Sequence, residues 1–214
     1  MGGATLDVRT ISRAVARRAT ALRRAPAMAL PPPDASSPVS EPATEVECVI
    51  AAQYGDRDAF GELYRRYGRM VHGVLLARIP RGQVEDLVQD VFLTALKRLD
   101  SLRDPERFGG WLAMIARNRA TDFHRRARQT TELTDDVPGP ASPPDAEAEA
   151  LWVLRILQTL PEAYRETLVL RLVEGMTGPE IAARTGMTEG SVRVNLHRGM
   201  KQLREKLEKV RDDV

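Results

Sequence analysis

The sequence predicts an all-α protein made of two small helical domains joined by a flexible linker. Three observations predict it. Only 5% of residues are aromatic, Ala, Leu, Arg and Glu dominate, and long alternating runs of β-branched residues are absent. Apolar residues recur at helical spacing through several windows between 45 and 209. A proline-rich acidic stretch at 130–146 shows no helical period and separates two such blocks.

Residues 1–44 precede the first block. The stretch 6–24 is rich in Ala and Arg and reads as an organelle transit peptide, as a basic nucleic-acid arm, or as a disordered extension. The plainest reading is the extension, or an upstream start codon with Met28 as the true initiator. Five prolines between Pro31 and Pro42 read as an unfolded tether.

The first domain spans 45–129. A helix is expected over about Glu45–Gln53, ended by Gly55-Asp56, and a second over about Asp58–Arg78, where Phe60, Leu63, Tyr64, Tyr67, Val71, Val74 and Leu75 keep the helical period. Pro80-Arg81-Gly82 is a turn. A third helix follows at about Val84–Leu99, with Leu87, Val88, Val91, Ala95, Leu96 and Leu99 as its core stripe. Asp86, Gln89 and Asp90 point elsewhere and form an acidic patch, which taken alone reads as a solvated face. After Asp104-Pro105 a fourth helix covers about Phe108–Arg128, starting apolar and ending basic. Five arginines against one aspartate crowd its last twelve residues. Arg117, Arg119, Arg125, Arg126 and Arg128, with Asn118, form a stripe suited to a phosphate backbone. Phe108 and Trp111 beside Gly109-Gly110 suggest rings that stack on an unpaired base, although core packing is the more ordinary use of Trp111.

The linker 130–146 contains four prolines. The second domain, 147–214, begins with helices over about Glu147–Gln158 and Pro161–Val173. It ends in a helix-turn-helix. Thr177 and Glu180 have capping-box spacing, Pro179 sits in the first turn, and Gly186 is placed to end the helix with positive φ. Thr188 caps the next helix, whose Val192, Leu196, Leu203 and Leu207 make one buried stripe. Ser191, Val194, His197, Arg198 and Lys201 lie opposite, with Arg193 and Asn195 on the flanks. That arrangement serves to place a helix in the DNA major groove.

Charge supports the same plan. The net charge is only +2, yet 48–129 carries +5 and 151–214 carries +2, around an acidic strip of −6 at 130–150. Two basic blocks suit a protein that touches nucleic acid twice. A single cysteine, Cys48, excludes an internal disulfide. The isolated His72, His124 and His197 show no metal-ligand spacing, so no metal or cofactor is expected. No stretch approaches the roughly 18 apolar residues of a membrane span, and a cytoplasmic location is expected.

In this order, two helical domains, an acidic linker and a terminal helix-turn-helix resemble an extracytoplasmic-function (ECF) sigma factor. The resemblance covers about 45–209. It rests on Asp86-Leu87-Val88-Gln89-Asp90-Val91-Phe92, on Trp111 to Asn118 with Asp122, on Leu160-Pro161-Glu162-Ala163-Tyr164-Arg165, and on Glu180-Ile181-Ala182 through Arg198. It implies that the first domain is like sigma region 2 and the second like sigma region 4. Asp86, Gln89, Asp90 and Phe92 would then dock on core RNA polymerase. Phe108, Trp111, Arg117, Asn118, Arg119, Arg125, Arg126 and Arg128 would bind the promoter −10 region, with a flipped base held by the loop from Ser101 to Gly110. Ser191, Arg193, Val194, Asn195, His197, Arg198 and Lys201 would read the −35 element. An anti-sigma protein is the further partner the resemblance implies. Val194 departs from the small polar residue often found at its position and offers a base only apolar contact.

The function expected is therefore a non-enzymatic sigma factor that directs promoter-specific initiation. The alternative is a helix-turn-helix regulator that acts without being a polymerase subunit. A helical nuclease is disfavoured because Glu85, Asp86 and Asp90 share one helix with no partner histidine.

Overall fold

The computed structural model describes residues 43–130 and 146–212. The N-terminal extension before 43 and the linker 131–145 lie outside them. Among the described residues there are eight α-helices and no strand. They are α1 (Glu45–Gln53), α2 (Arg57–Leu76), α3 (Val84–Arg98), α4 (Phe108–Thr130), α5 (Ala146–Gln158), α6 (Glu162–Leu172), α7 (Gly178–Thr185) and α8 (Glu189–Asp212). Each matches an expected helix to within a few residues.

Local chemistry starts the helices. Thr44 and Glu47 form a capping box on α1: the Thr44 N–H donates to Glu47 Oε2 at 2.7 Å, and the Glu47 N–H donates to Thr44 Oγ1 at 3.3 Å. Asp56 accepts from the Asp58 and Ala59 N–H groups and so caps α2. The box expected at Thr177 and Glu180 is present on α7. Gly186 ends α7 at φ 73°, a left-handed conformation that glycine adopts without a Cβ penalty. The Ser191 N–H then donates to Thr188 Oγ1 at 3.1 Å at the start of α8.

Helix α2 is the axis of the molecule. Leu63, Tyr67, Met70, Val71, Val74 and Leu75 are fully buried or nearly so, and α2 packs on α1, α3 and α4. The Gln53 amide ties α1 to the segment before α4 by donating to the Leu99 and Leu102 carbonyls. In the second domain α7 and α8 pack on each other, and α8 lies on α6 with Val192 and Leu203 buried.

The two domains do not stand apart. Helix α6 packs on α2, and α7 packs on α4. This explains why α6 has almost no one-sided apolar pattern: Glu166, Thr167, Leu168, Val169 and Leu170 are buried in succession. One side of α6 faces α8 and another faces the first domain. The contact depends on a small residue, because a methyl group added at Gly73 of α2 would lie 2.6 Å from Leu170 Cδ2 and 2.9 Å from Glu174 Cγ. Arg184 of α7 stands 5.4 Å over the Tyr67 ring of α2 and adds a cation–π contact across the same boundary.

Removing the α7 box tests how much local capping supports the helix-turn-helix. Thr177→Ala is expected to lower unfolding free energy by about 1 kcal/mol in urea titrations. An unchanged midpoint contradicts this.

Candidate nucleic-acid and polymerase interfaces

Helix α8 presents an open recognition face. Ser191, Arg193, Val194, His197, Arg198 and Lys201 are exposed and Asn195 is half-buried. Val194 is 45% exposed, an apolar side chain among polar neighbours. The buried Val192 behind it fixes which side of α8 faces outward.

Helix α4 differs from expectation. Phe108 has no exposed surface; its ring packs edge-on against Tyr67 at 5.1 Å. It supports the site from within and does not reach a base, because the start of α4 is buried against α2. Trp111 is half-buried, 5.9 Å from the Phe108 ring. The arginines do not form one free row. Arg119 Nη2 pairs with Asp90 Oδ2 of α3 at 2.7 Å, and Arg125 pairs with Asp122 at 2.9 Å. Arg117 turns to the second domain. Asn118, Arg125 and Arg126 are exposed. The side chain of Arg128 lies outside the described residues. Met114, 49% exposed, shares the outer side of α4 with Asn118 and Thr121. Sequence reasoning missed it, although spacings of four and three connect these positions.

On α3, Asp86 and Gln89 are exposed, while Asp90 is half-buried by its pairing with Arg119. Phe92 is 3% exposed, with its ring 4.4 Å from that of Tyr64 and 6.3 Å from that of Phe60. It therefore anchors α3 to α2 and offers no direct surface to a partner. Leu96, expected in the core stripe, is 48% exposed, and Leu93 is 54% exposed. Asp86, Gln89, Leu93 and Leu96 thus form the outward stripe of α3, at spacings readable from the sequence. A cleft of about 270 Å³ between α3 and α4 is lined by Leu87, Asp90, Arg119, Asp122, Phe123 and Arg126, among others.

Two buried carboxylates of the second domain, Glu166 and Glu174, make charged contacts with the first. Glu166 of α6, its side chain 3% exposed, takes a two-pronged contact from Arg117: Nε to Oε2 at 3.2 Å and Nη2 to Oε1 at 2.7 Å. Arg78 Nη2 donates to the same Oε2 at 2.6 Å. Burial raises the Glu166 pKa, but the Arg117 hydrogen bonds and the nearby Arg78 charge outweigh it and leave the carboxyl below its ordinary value. His72 Nδ1 lies 2.7 Å from Glu174 Oε1, and its Nε2 lies 3.5 Å from Glu85 Oε1. Burial opposes protonation of His72, yet the Glu174 hydrogen bond and the Glu174 and Glu85 charges raise its pKa above the ordinary value.

Residues 63–130 match the family model for sigma-70 region 2, and residues 150–203 match that for sigma-70 region 4. The chain is 32% identical over 178 residues to the RNA polymerase sigma factor NccH of Alcaligenes xylosoxydans xylosoxydans, covering 77% of this chain and 95% of that one. The chain belongs to the ECF class of sigma factors. It is also 36% identical over 159 residues to the sigma factor CarQ of Myxococcus xanthus, covering 72% of this chain and 91% of that one. A solved structure of CnrH in complex with the cytosolic domain of CnrY matches with a TM-score of 0.55 at 30% identity, over 77% of this chain and 97% of CnrH. As a sigma factor, the protein binds core RNA polymerase and directs promoter-specific initiation. Among the described residues, no helix is long and apolar enough to cross a membrane.

The two titrating contacts give the stability of the sigma factor a defined pH dependence. A carboxyl held low, like Glu166, stabilises the fold above its ordinary value of 4.5, and the effect is lost as pH falls through the lowered pKa. An imidazole held high, like His72, stabilises the fold below its ordinary 6.5, and the effect is lost as pH rises through the raised pKa. Melting temperature is expected to decline as pH rises above 6.5, and His72→Gln is expected to flatten that limb. Identical limbs in both proteins contradict the assignment.

Proposed function

We propose that promoter-specific initiation is divided among three surfaces of this chain. The outward stripe of α3, with Asp86, Gln89, Leu93 and Leu96, docks on core polymerase, and Phe92 holds that helix in place from inside. The basic half of α4 grips the non-template strand of the −10 region through Asn118, Arg125, Arg126 and Arg128, with Arg117 and Arg119 contributing once released from Glu166 and Asp90. Helix α8 reads the −35 element in the major groove through Arg193, Val194, Asn195, His197 and Arg198, while Ser191 and Lys201 serve its edges.

The observation that carries this reading is the open polar face of α8, joined in one chain to an arginine-rich α4 and an exposed acidic–apolar α3. The protein is not an enzyme in this reading. It is a detachable specificity subunit, and the chemistry belongs to the polymerase. Its basic helices supply salt-dependent, sequence-independent affinity, and mounting both domains on one polymerase adds avidity. It works in the cytoplasm. An inhibitory anti-sigma protein is its regulator, a reading supported by the solved complex of CnrH with the cytosolic domain of CnrY.

Run-off transcription with reconstituted core polymerase, on templates selected from fragmented genomic DNA, is expected to yield defined start sites only when the chain is present. No promoter-specific product on any template overturns the reading. Arg198→Ala is expected to weaken binding to the selected −35 duplex by about 1–3 kcal/mol and to relax preference at one position, as measured by anisotropy. Lys201→Ala is expected to weaken all sequences alike and to reduce the salt slope by about 1.

A further inference from the structure

We propose that Arg78 and Arg117 form an anion site for a backbone phosphate of the opened promoter strand, and that Glu166 occupies this site while the chain is closed. The proposal rests on the reading of α4 as the strand-binding helix.

The geometry is that of an anion-binding fork. Arg117 meets Glu166 with two nitrogens on two oxygens, at 3.2 and 2.7 Å. Arg78 Nη2 donates to Oε2, the oxygen that Arg117 Nε also meets. A phosphodiester presents the same pair of charged oxygens to a guanidinium as a carboxylate does. Arg78 is braced by its own domain. Its Nη1 donates to the Val74 carbonyl at 3.0 Å, one turn back along α2. The Arg78 carbonyl in turn lies 2.8 Å from His124 Nε2 of α4. None of these contacts involves the second domain.

The anion, by contrast, comes wholly from the second domain. Glu166 and the more exposed Glu162, which also meets Arg78, both belong to α6. When that domain moves away, two neighbouring guanidinium groups lose their counter-charge together. Two guanidinium groups held close, each with forked donors, favour binding of another anion by the open first domain. A nucleic-acid phosphate fits better than an acidic protein segment. Arg117 begins the basic half of α4, which continues through Asn118, Arg125 and Arg126, so a strand following that helix passes over the pair. Glu166 thus acts as an internal competitor for DNA: closing the chain masks a phosphate contact, and binding the strand favours the open form.

The test separates the docked state from the site. Gly73→Ala keeps every charge and suits a helix, but its methyl group collides with Leu170 and Glu174 across the domain boundary. Small-angle scattering of the full chain should show expansion. Anisotropy with a fluorescein-labelled, mixed-sequence single-stranded DNA should show binding about three- to tenfold tighter than wild type. The salt dependence should steepen by about 0.7 for one phosphate gained. Adding Arg78→Ala to Gly73→Ala should return affinity to the wild-type level. Glu166→Lys places a third cation between the two arginines and should open the chain even if the methyl group is accommodated; a chain that stays compact with Glu166→Lys overturns the proposal. Expanded variants with unchanged DNA affinity also overturn it. So does a gain confined to core polymerase, which reassigns the pair to an acidic protein segment. If Arg125→Ala and Arg126→Ala weaken DNA binding while Arg78→Ala in the open variant does not, the strand-binding role of α4 stands and the Arg78–Arg117 site falls. If none of these changes matters, the role of α4 falls as well.

Discussion

A single buried carboxylate organises the relation between the two halves of this protein. Glu166 is 3% exposed, and two guanidinium groups from the other domain bracket it. A charge so placed is tolerated only while it stays paired, since removing either partner strands an ion away from water. The pairing therefore sets how α6 lies on α2, and that geometry in turn demands the absence of a side chain at Gly73. The apolar packing of Leu170 follows the same approach. Docking is specific because charge and shape must both match.

This constraint sorts the functional surfaces into two groups. The recognition face of α8 and the outward stripe of α3 are exposed in the closed chain, since neither faces the domain boundary. Arg117 is not free, because the boundary runs along one side of α4. Arg119 is engaged within the first domain by Asp90 and is indifferent to docking. The arginines of α4, equivalent by composition, thus have separate partners: one reports on domain separation, one braces α3, and others face outward. A sigma factor that closes on itself in this way can keep its duplex-reading face available while covering part of its strand-binding surface.

Burial also redistributes the aromatic residues. Phe92 and Phe108 lie within or beside the motifs that suggested binding roles, yet each points inward and locks a functional helix onto α2. Their contribution to binding is positional. Four of the apolar residues that reach solvent, Leu93, Leu96, Met114 and Val194, fall on the faces assigned to polymerase or DNA, while Ile50 and Tyr54 at α1 do not. On α3, α4 and α8, exposed apolar residues sit among the polar ones on the same outward faces.

Much of this protein was legible in its sequence. The helices and their order, the capping box at Thr177 and Glu180, the left-handed Gly186 and the buried Val192 stripe all depend on residues within one or two helical turns, where hydrogen-bond geometry and period decide the outcome. The faces of α3 and α8 followed largely from the same period, with Leu96 misassigned because an apolar residue at the edge of a stripe can point either way. What the tertiary structure alone decided is the partner of each charged residue that pairs across the domain boundary and the burial of each aromatic one. Arg117 meets a carboxylate 49 positions away, and Arg78 meets the same group at 88. No local pattern encodes such pairings, because they depend on how two helix bundles pack, and that packing is set by shape and desolvation summed over the whole boundary.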